Sequence, residues 1–172
     1  MTGVLVIGVG NQLRGDDAAG LEVALRLRAR MTDVEVVLHE GDGSGLLELW
    51  RRRRAVVLID AVRSGARVGT LHRIDASAEP LPACLSAGST HAIGVADAIE
   101  LARGLDRLPY RVVLHGVEGA CFETGAKLSD SVARAIPRLV AAAGREARAL
   151  AGRPPGHREP AEPRQTITPR TA

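Results

Sequence analysis

The stretch GVGNQLRGDDAAG (8–20) follows the apolar run VLVI (4–7) and carries two adjacent carboxylates, Asp16 and Asp17. A glycine-rich turn after a buried strand commonly cradles a phosphate on free backbone N–H groups. Two acids in that turn repel a phosphate and suit a cation instead. Three further segments bring acids or imidazoles to turns: Asp60 in IDAVRSG (59–65), His91 in SAGSTHAIG (86–94), and His115 and Glu118 in HGVEG (115–119). Asp17, Asp60 and His91 together offer two carboxylates and one imidazole. That is a three-ligand set with an open position for a borderline divalent metal such as zinc or nickel.

Each residue has an ordinary alternative. Asp16 and Asp17 can cap a helix, Asp60 can close a strand on nearby N–H groups, and His91 can belong to a helix cap. His115 and Glu118 are weaker candidates, and His39, Glu40 and Asp42 read as loop polars. The convergence of separate segments on one edge is what favours a site.

That convergence depends on the elements between them. GVLVIGVG (3–10), VEVVLHE (34–40), AVVLIDA (55–61) and YRVVLHGVE (110–118) read as strands, the first and third apolar enough to be covered on both faces. VGTLHRI (68–74) alternates like an antiparallel edge strand next to the third. Helical spacing covers 17–30, a short helix 43–54 has Ser44 as its cap, and further helices span about 94–104 and 128–150, the last kinked at Pro137. Residues 75–93 form a long loop. Strands alternating with helices predict an α/β three-layer sandwich with a mostly parallel sheet and helices on both faces. In such sheets ligands bind beyond the carboxyl ends of the strands, at the switch in strand order. The domain covers 1–151, and the Pro- and Arg-rich remainder, 152–172, is too poor in apolar residues to order itself.

The chain has 172 residues, enough for one domain with a substantial core. Aromatic residues make up only 2%, which argues against base-stacking nucleic-acid modules. The net charge of +3 is carried almost wholly by arginine, with Lys127 as the sole lysine, and the RRRR run (51–54) suits the end of a helix. No apolar stretch is long enough to span a membrane, and Cys84 and Cys121 lack CxxC spacing, so a cytoplasmic protein with reduced thiols is expected. Neither a nucleophile elbow nor HExxH occurs, which disfavours serine-type and zincin-type hydrolysis. A dinucleotide-binding domain is the main rival: Gly8 and Gly10 give GxG and Glu40 ends the second strand, but Leu13 stands where the third glycine is required. A non-catalytic nickel carrier or chaperone is another, although His- or Cys-rich tracts are missing.

In GVGNQLRGDDAAG, GSG (43–45), IDA (59–61), GT (69–70), STH (89–91), HGVE (115–118) and LS (128–129), the chain resembles the hydrogenase maturation endopeptidases. The resemblance covers roughly residues 3–150. It implies a five-stranded twisted sheet between helices and an aspartic-type peptidase. The expected substrate is the nickel-loaded precursor of a nickel–iron hydrogenase large subunit, from which a C-terminal extension is removed. On this chain the family's metal-contacting acids fall on Asp17 and Asp60 and its histidine on His91. The same two acids are the candidates for hydrolysis. Nickel would arrive with the precursor, no organic cofactor is implied, and neither nucleic acid nor membrane is an expected partner. Three positions depart from the family pattern: Ala18 replaces a common glycine, Asp17 stands where some relatives carry Glu, and no proline follows Glu118.

Overall fold

The computed structural model describes residues 2–40, 43–82 and 94–152. Five strands form one sheet: β1 (Thr2–Val9), β2 (Glu35–His39), β3 (Arg53–Val62), β4 (Leu71–Asp75) and β5 (Arg111–Glu118). Their order is β2-β1-β3-β5-β4. The first four of that order run parallel, and β4 closes the edge antiparallel to β5. Among the described residues the α-helices are α1 (Ala19–Arg28), α2 (Gly43–Trp50), α3 (Val95–Gly104) and α4 (Asp130–Ala151).

The three layers follow from strand parity. Val4 and Val6 of β1, with Ala55, Val57 and Ile59 of β3, face α1 and α4. Leu5, Ile7 and Val9, with Val56 and Leu58, face α2 and α3. Both sides of the central strands are thereby covered, which is why they read as continuous apolar runs. On α4, Val132, Ala135, Ile136, Leu139, Val140, Ala143 and Ala147 recur at three- and four-residue spacing and form its buried stripe. Trp50 is the main anchor of α2.

Several expectations are corrected. The edge strand pairs with β5 rather than with its sequence neighbour β3, and begins at Leu71. The RRRR run does not close a helix: α2 ends at Trp50, Arg52 adopts a φ of 73°, and Arg53 and Arg54 already belong to β3. Arg53 pairs with Glu35 of β2 at 2.6 Å, and Arg54 donates to the Leu150 carbonyl at the end of α4. Ser44, expected to cap α2, lies within it, because the helix begins at Gly43. Pro137 lies inside α4 on its exposed face, where water can serve the carbonyl that proline leaves unbonded. Most of the 75–93 loop and the 152–172 tail lie outside the described residues, as does Cys84. Cys121 is a free thiol. Among the described residues no helix is long and apolar enough to cross a membrane.

Candidate functional site

Strand order reverses between β1 and β3: the chain leaves β1 toward β2 on one side and reaches β3 on the other. The crevice at their carboxyl ends is the expected ligand position of such a sheet. Asp17 follows β1 and Asp60 lies near the end of β3, so the two acids flank this crevice from opposite sides.

Glycine brings them together. Gly20, in the first turn of α1, passes so close to both strands that a Cβ there would stand 2.2 Å from the Val9 carbonyl oxygen and 2.3 Å from that of Ile59. Gly10, at φ 143°, leaves room for the Asp17 backbone, whose carbonyl oxygen would lie 1.7 Å from a Cβ. The start of α1 therefore sits directly on the β1/β3 crevice. Asp17 occupies a 3-10 turn, Gly15–Ala18, just before α1, so it stands at the mouth of that helix. Ala18 takes an ordinary right-handed conformation (φ −72°, ψ −10°), so replacing the family's glycine costs the turn nothing.

Asp17 is buried, and Asp60 is part-buried, accepting a 2.8 Å bond from the Ala61 N–H at Oδ1. Burial, and then the charge of Asp17, push the Asp60 carboxyl well above its ordinary value. The two carboxylates are thus close enough to interact electrostatically. A divalent cation between them turns that repulsion into attraction, so this pair of oxygen donors fits a metal brought into the crevice. It also argues against the dinucleotide reading, because a pyrophosphate would meet both charges. His91 lies outside the described residues. Among those residues no set of three His, Cys, Asp or Glu side chains is placed to hold an ion.

The neighbouring acid does something different. Asp16 is fully buried, and its carboxylate accepts four bonds: from the N–H groups of Ala120 (2.8 Å), Cys121 (3.0 Å) and Ser129 (2.7 Å), and from the Ser129 hydroxyl (3.0 Å). The Asp16 N–H donates in turn to the Cys121 carbonyl at 2.7 Å. Asp16 thus ties the segment between β5 and α4 to the first loop. Only the LS pair at 128–129 signalled this role in the sequence.

Glu118 is a second clamp. Its buried carboxylate accepts from the Ser64 N–H (2.9 Å), the Ser64 hydroxyl (2.8 Å) and the Gly65 N–H (2.9 Å), and it lies 3.1 Å from His72 Nε2. It fixes the loop leaving β3 and so supports the strand end that carries Asp60. His115 belongs to neither group, because its ring points from β5 toward α4, with Nε2 3.6 Å from Glu146 Oε2. Arg73 makes a bidentate pair with the same carboxylate at 2.7 and 3.1 Å. Burial opposes the charge of Glu146, yet His115 and Arg73 together lower its pKa to about 2. His39 ends β2, where its carbonyl accepts the Gly10 N–H at 3.1 Å, and Glu40 is exposed.

Comparison with known proteins bears on the family and the fold. Residues 21–146 match the family described as hydrogenase maturation protease. The chain is 32% identical over 152 residues to the hydrogenase expression/formation protein HupD of Rhodobacter capsulatus, covering 85% of this chain and 71% of that protein. A HupD of Thiocapsa roseopersicina is 30% identical over 118 residues, covering 67% of this chain and 53% of its own length. Among solved structures, the hydrogenase maturating endopeptidase HybD from E. coli superposes with a TM-score of 0.68 at 27% identity, covering 84% of this chain and 93% of that one.

Proposed function

The chain belongs to the hydrogenase maturation protease family, and from that premise we propose that it removes a C-terminal extension from a nickel-loaded nickel–iron hydrogenase large-subunit precursor. The observation that carries the metal-dependent part is the placement of two acids, the buried Asp17 and the part-buried Asp60, on either side of the β1/β3 crevice. Nickel arrives as part of the substrate, and Asp17, Asp60 and His91 are its contacts on this chain.

In this reading the carboxylates locate the scissile peptide by gripping the ion already held by the precursor. Fixing the peptide beside the acids converts an encounter into a positioned reaction, which can lower a barrier by several kcal/mol. A carboxylate of the pair accepts the proton of the attacking water. Asp16 and Glu118 touch no substrate. They hold the first loop and the loop leaving β3, so the two acids keep their separation before the precursor binds.

The test is the mass of the large subunit isolated from strains carrying Asp17→Asn, Asp60→Asn or His91→Ala. Each variant should accumulate the unprocessed precursor. Full processing by all three would remove the proposed site.

A further inference from the structure

Away from the acidic crevice, a groove of about 650 Å³ is lined by Arg67, Val68, Gly69, Leu71, Ser131, Arg134 and Arg138, together with Thr70. One wall is the loop between β3 and β4, and the other is the first half of α4. The wall is firmly built: the Gly69 N–H donates to the Glu118 carbonyl at 2.8 Å, and the Glu118 N–H donates to the Thr70 carbonyl at 2.8 Å. Gly69, at φ 84°, packs so near Ser131 that a Cβ would lie 2.8 Å from its carbonyl oxygen.

The groove gathers three arginines. Some arginines elsewhere are paired with acids: Arg26 with Glu22, Arg53 with Glu35, Arg73 with Glu146, and Arg111 with Asp75. Arg67, Arg134 and Arg138 are exposed, and among the described residues none of them forms an ion pair. No acid lines the groove, and the nearest in sequence, Asp130, is exposed at the first residue of α4. Arg134 and Arg138 are one helical turn apart and so present two guanidinium groups on one ridge. Their forked donors match carboxylates.

We propose that this groove binds an acidic, extended segment of the large-subunit precursor and so adds a second contact to the one at the acidic crevice. The inference rests on the protease reading for the identity of the partner. Connectivity supports it: the loop forming one wall starts three residues beyond Asp60, and Asp60 to Arg67 spans at most about 25 Å of extended chain. A segment lying along that loop reaches both places. A polypeptide is favoured over nucleic acid because no aromatic side chain lines the groove to stack a base.

The test uses the full chain, fluorescently labelled nickel-loaded precursor, and the double variants Arg134→Gln/Arg138→Gln and Arg134→Glu/Arg138→Glu. Precursor binding is measured by anisotropy and cleavage by steady-state kinetics. The Gln variant should bind about tenfold more weakly and show a KM raised to match, with kcat preserved, as expected for two exposed charge contacts. The Glu variant should be weaker still, and salt should weaken wild-type binding more than Gln-variant binding. If the wild type cleaves and the Glu variant binds and cleaves equally well, the groove assignment fails while the protease reading stands. If the wild type neither binds nor cleaves the precursor, both fall. Arginine-dependent binding of a labelled single-stranded oligonucleotide in preference to the precursor would also overturn the assignment.

Discussion

Replacing Asp60 with Asn should stabilise the protein while abolishing processing. In the folded chain the Asp60 carboxyl is pushed well above its ordinary 3.8 by burial and by Asp17. As pH rises through the unfolded value, the unfolded chain loses this proton first and the folded chain retains it. Stability contributed by Asp60 is therefore present below the unfolded pKa and lost as pH rises through the folded one. By neutral pH the wild type has lost stability that the Asn variant keeps. Asn keeps an Oδ1 that can accept the 2.8 Å bond from the Ala61 N–H, so the substitution removes charge without removing that contact. Each unit by which the pKa is raised corresponds to about 1.4 kcal/mol, and at this chain length 1 kcal/mol shifts Tm by about 2–4 °C. Thermal unfolding followed by circular dichroism at about pH 7 should thus show the Asn variant melting several degrees higher. The difference should shrink toward zero near about pH 3, where both states hold the proton. A variant less stable than wild type at neutral pH, or a gain that persists unchanged in acid, would refute the proposed repulsion.

Other substitutions separate the structural acids from the functional ones. Asp16→Ala leaves the N–H groups of Ala120, Cys121 and Ser129 without their acceptor. At about 1–3 kcal/mol per orphaned group, urea titration should show a loss on the order of 3 kcal/mol or more, opposite in sign to Asp60→Asn. For Glu146, whose pKa is lowered from 4.5 to about 2, stability is present above the unfolded value and lost as pH falls through the folded one. Glu146→Gln should cost on the order of 3 kcal/mol at neutral pH, and that difference should disappear as pH approaches about 2, measured by denaturation across an acid series. Gly20→Ala drives a methyl against the Val9 and Ile59 carbonyls. Its Tm should fall, and precursor cleavage measured well below that Tm should also fall, because α1 must lift off the crevice and carry Asp17 with it.

The alternation of apolar runs and helical spacing was enough to read the element order and the three layers. Pairing was less legible: β4 joins β5, not β3, because strand partners depend on contacts far apart in sequence. The arginines at 51–54 read as a helix end, whereas the Glu35 carboxylate on β2 and the Leu150 carbonyl on α4 hold the latter half in β3. The acidic edge was legible as a set of residues, but not the division of labour within it. Asp16 and Asp17 are adjacent and chemically alike. The 3-10 turn alone aims one into a cage of backbone donors and leaves the other beside the β1/β3 crevice. Glu118, similarly, could be read as a ligand or an anchor until Ser64, Gly65 and His72 were seen around it. His91 lies outside the described residues, and its part in the trio rests on the family pattern.

The most direct measurement compares cleavage of one purified precursor in nickel-loaded and nickel-free form by the wild type and by Asp17→Asn. The wild type should cut the loaded precursor and leave the free one intact, and the variant should cut neither. Equal cleavage of both forms by the wild type would contradict a site in which these carboxylates find their substrate through its metal.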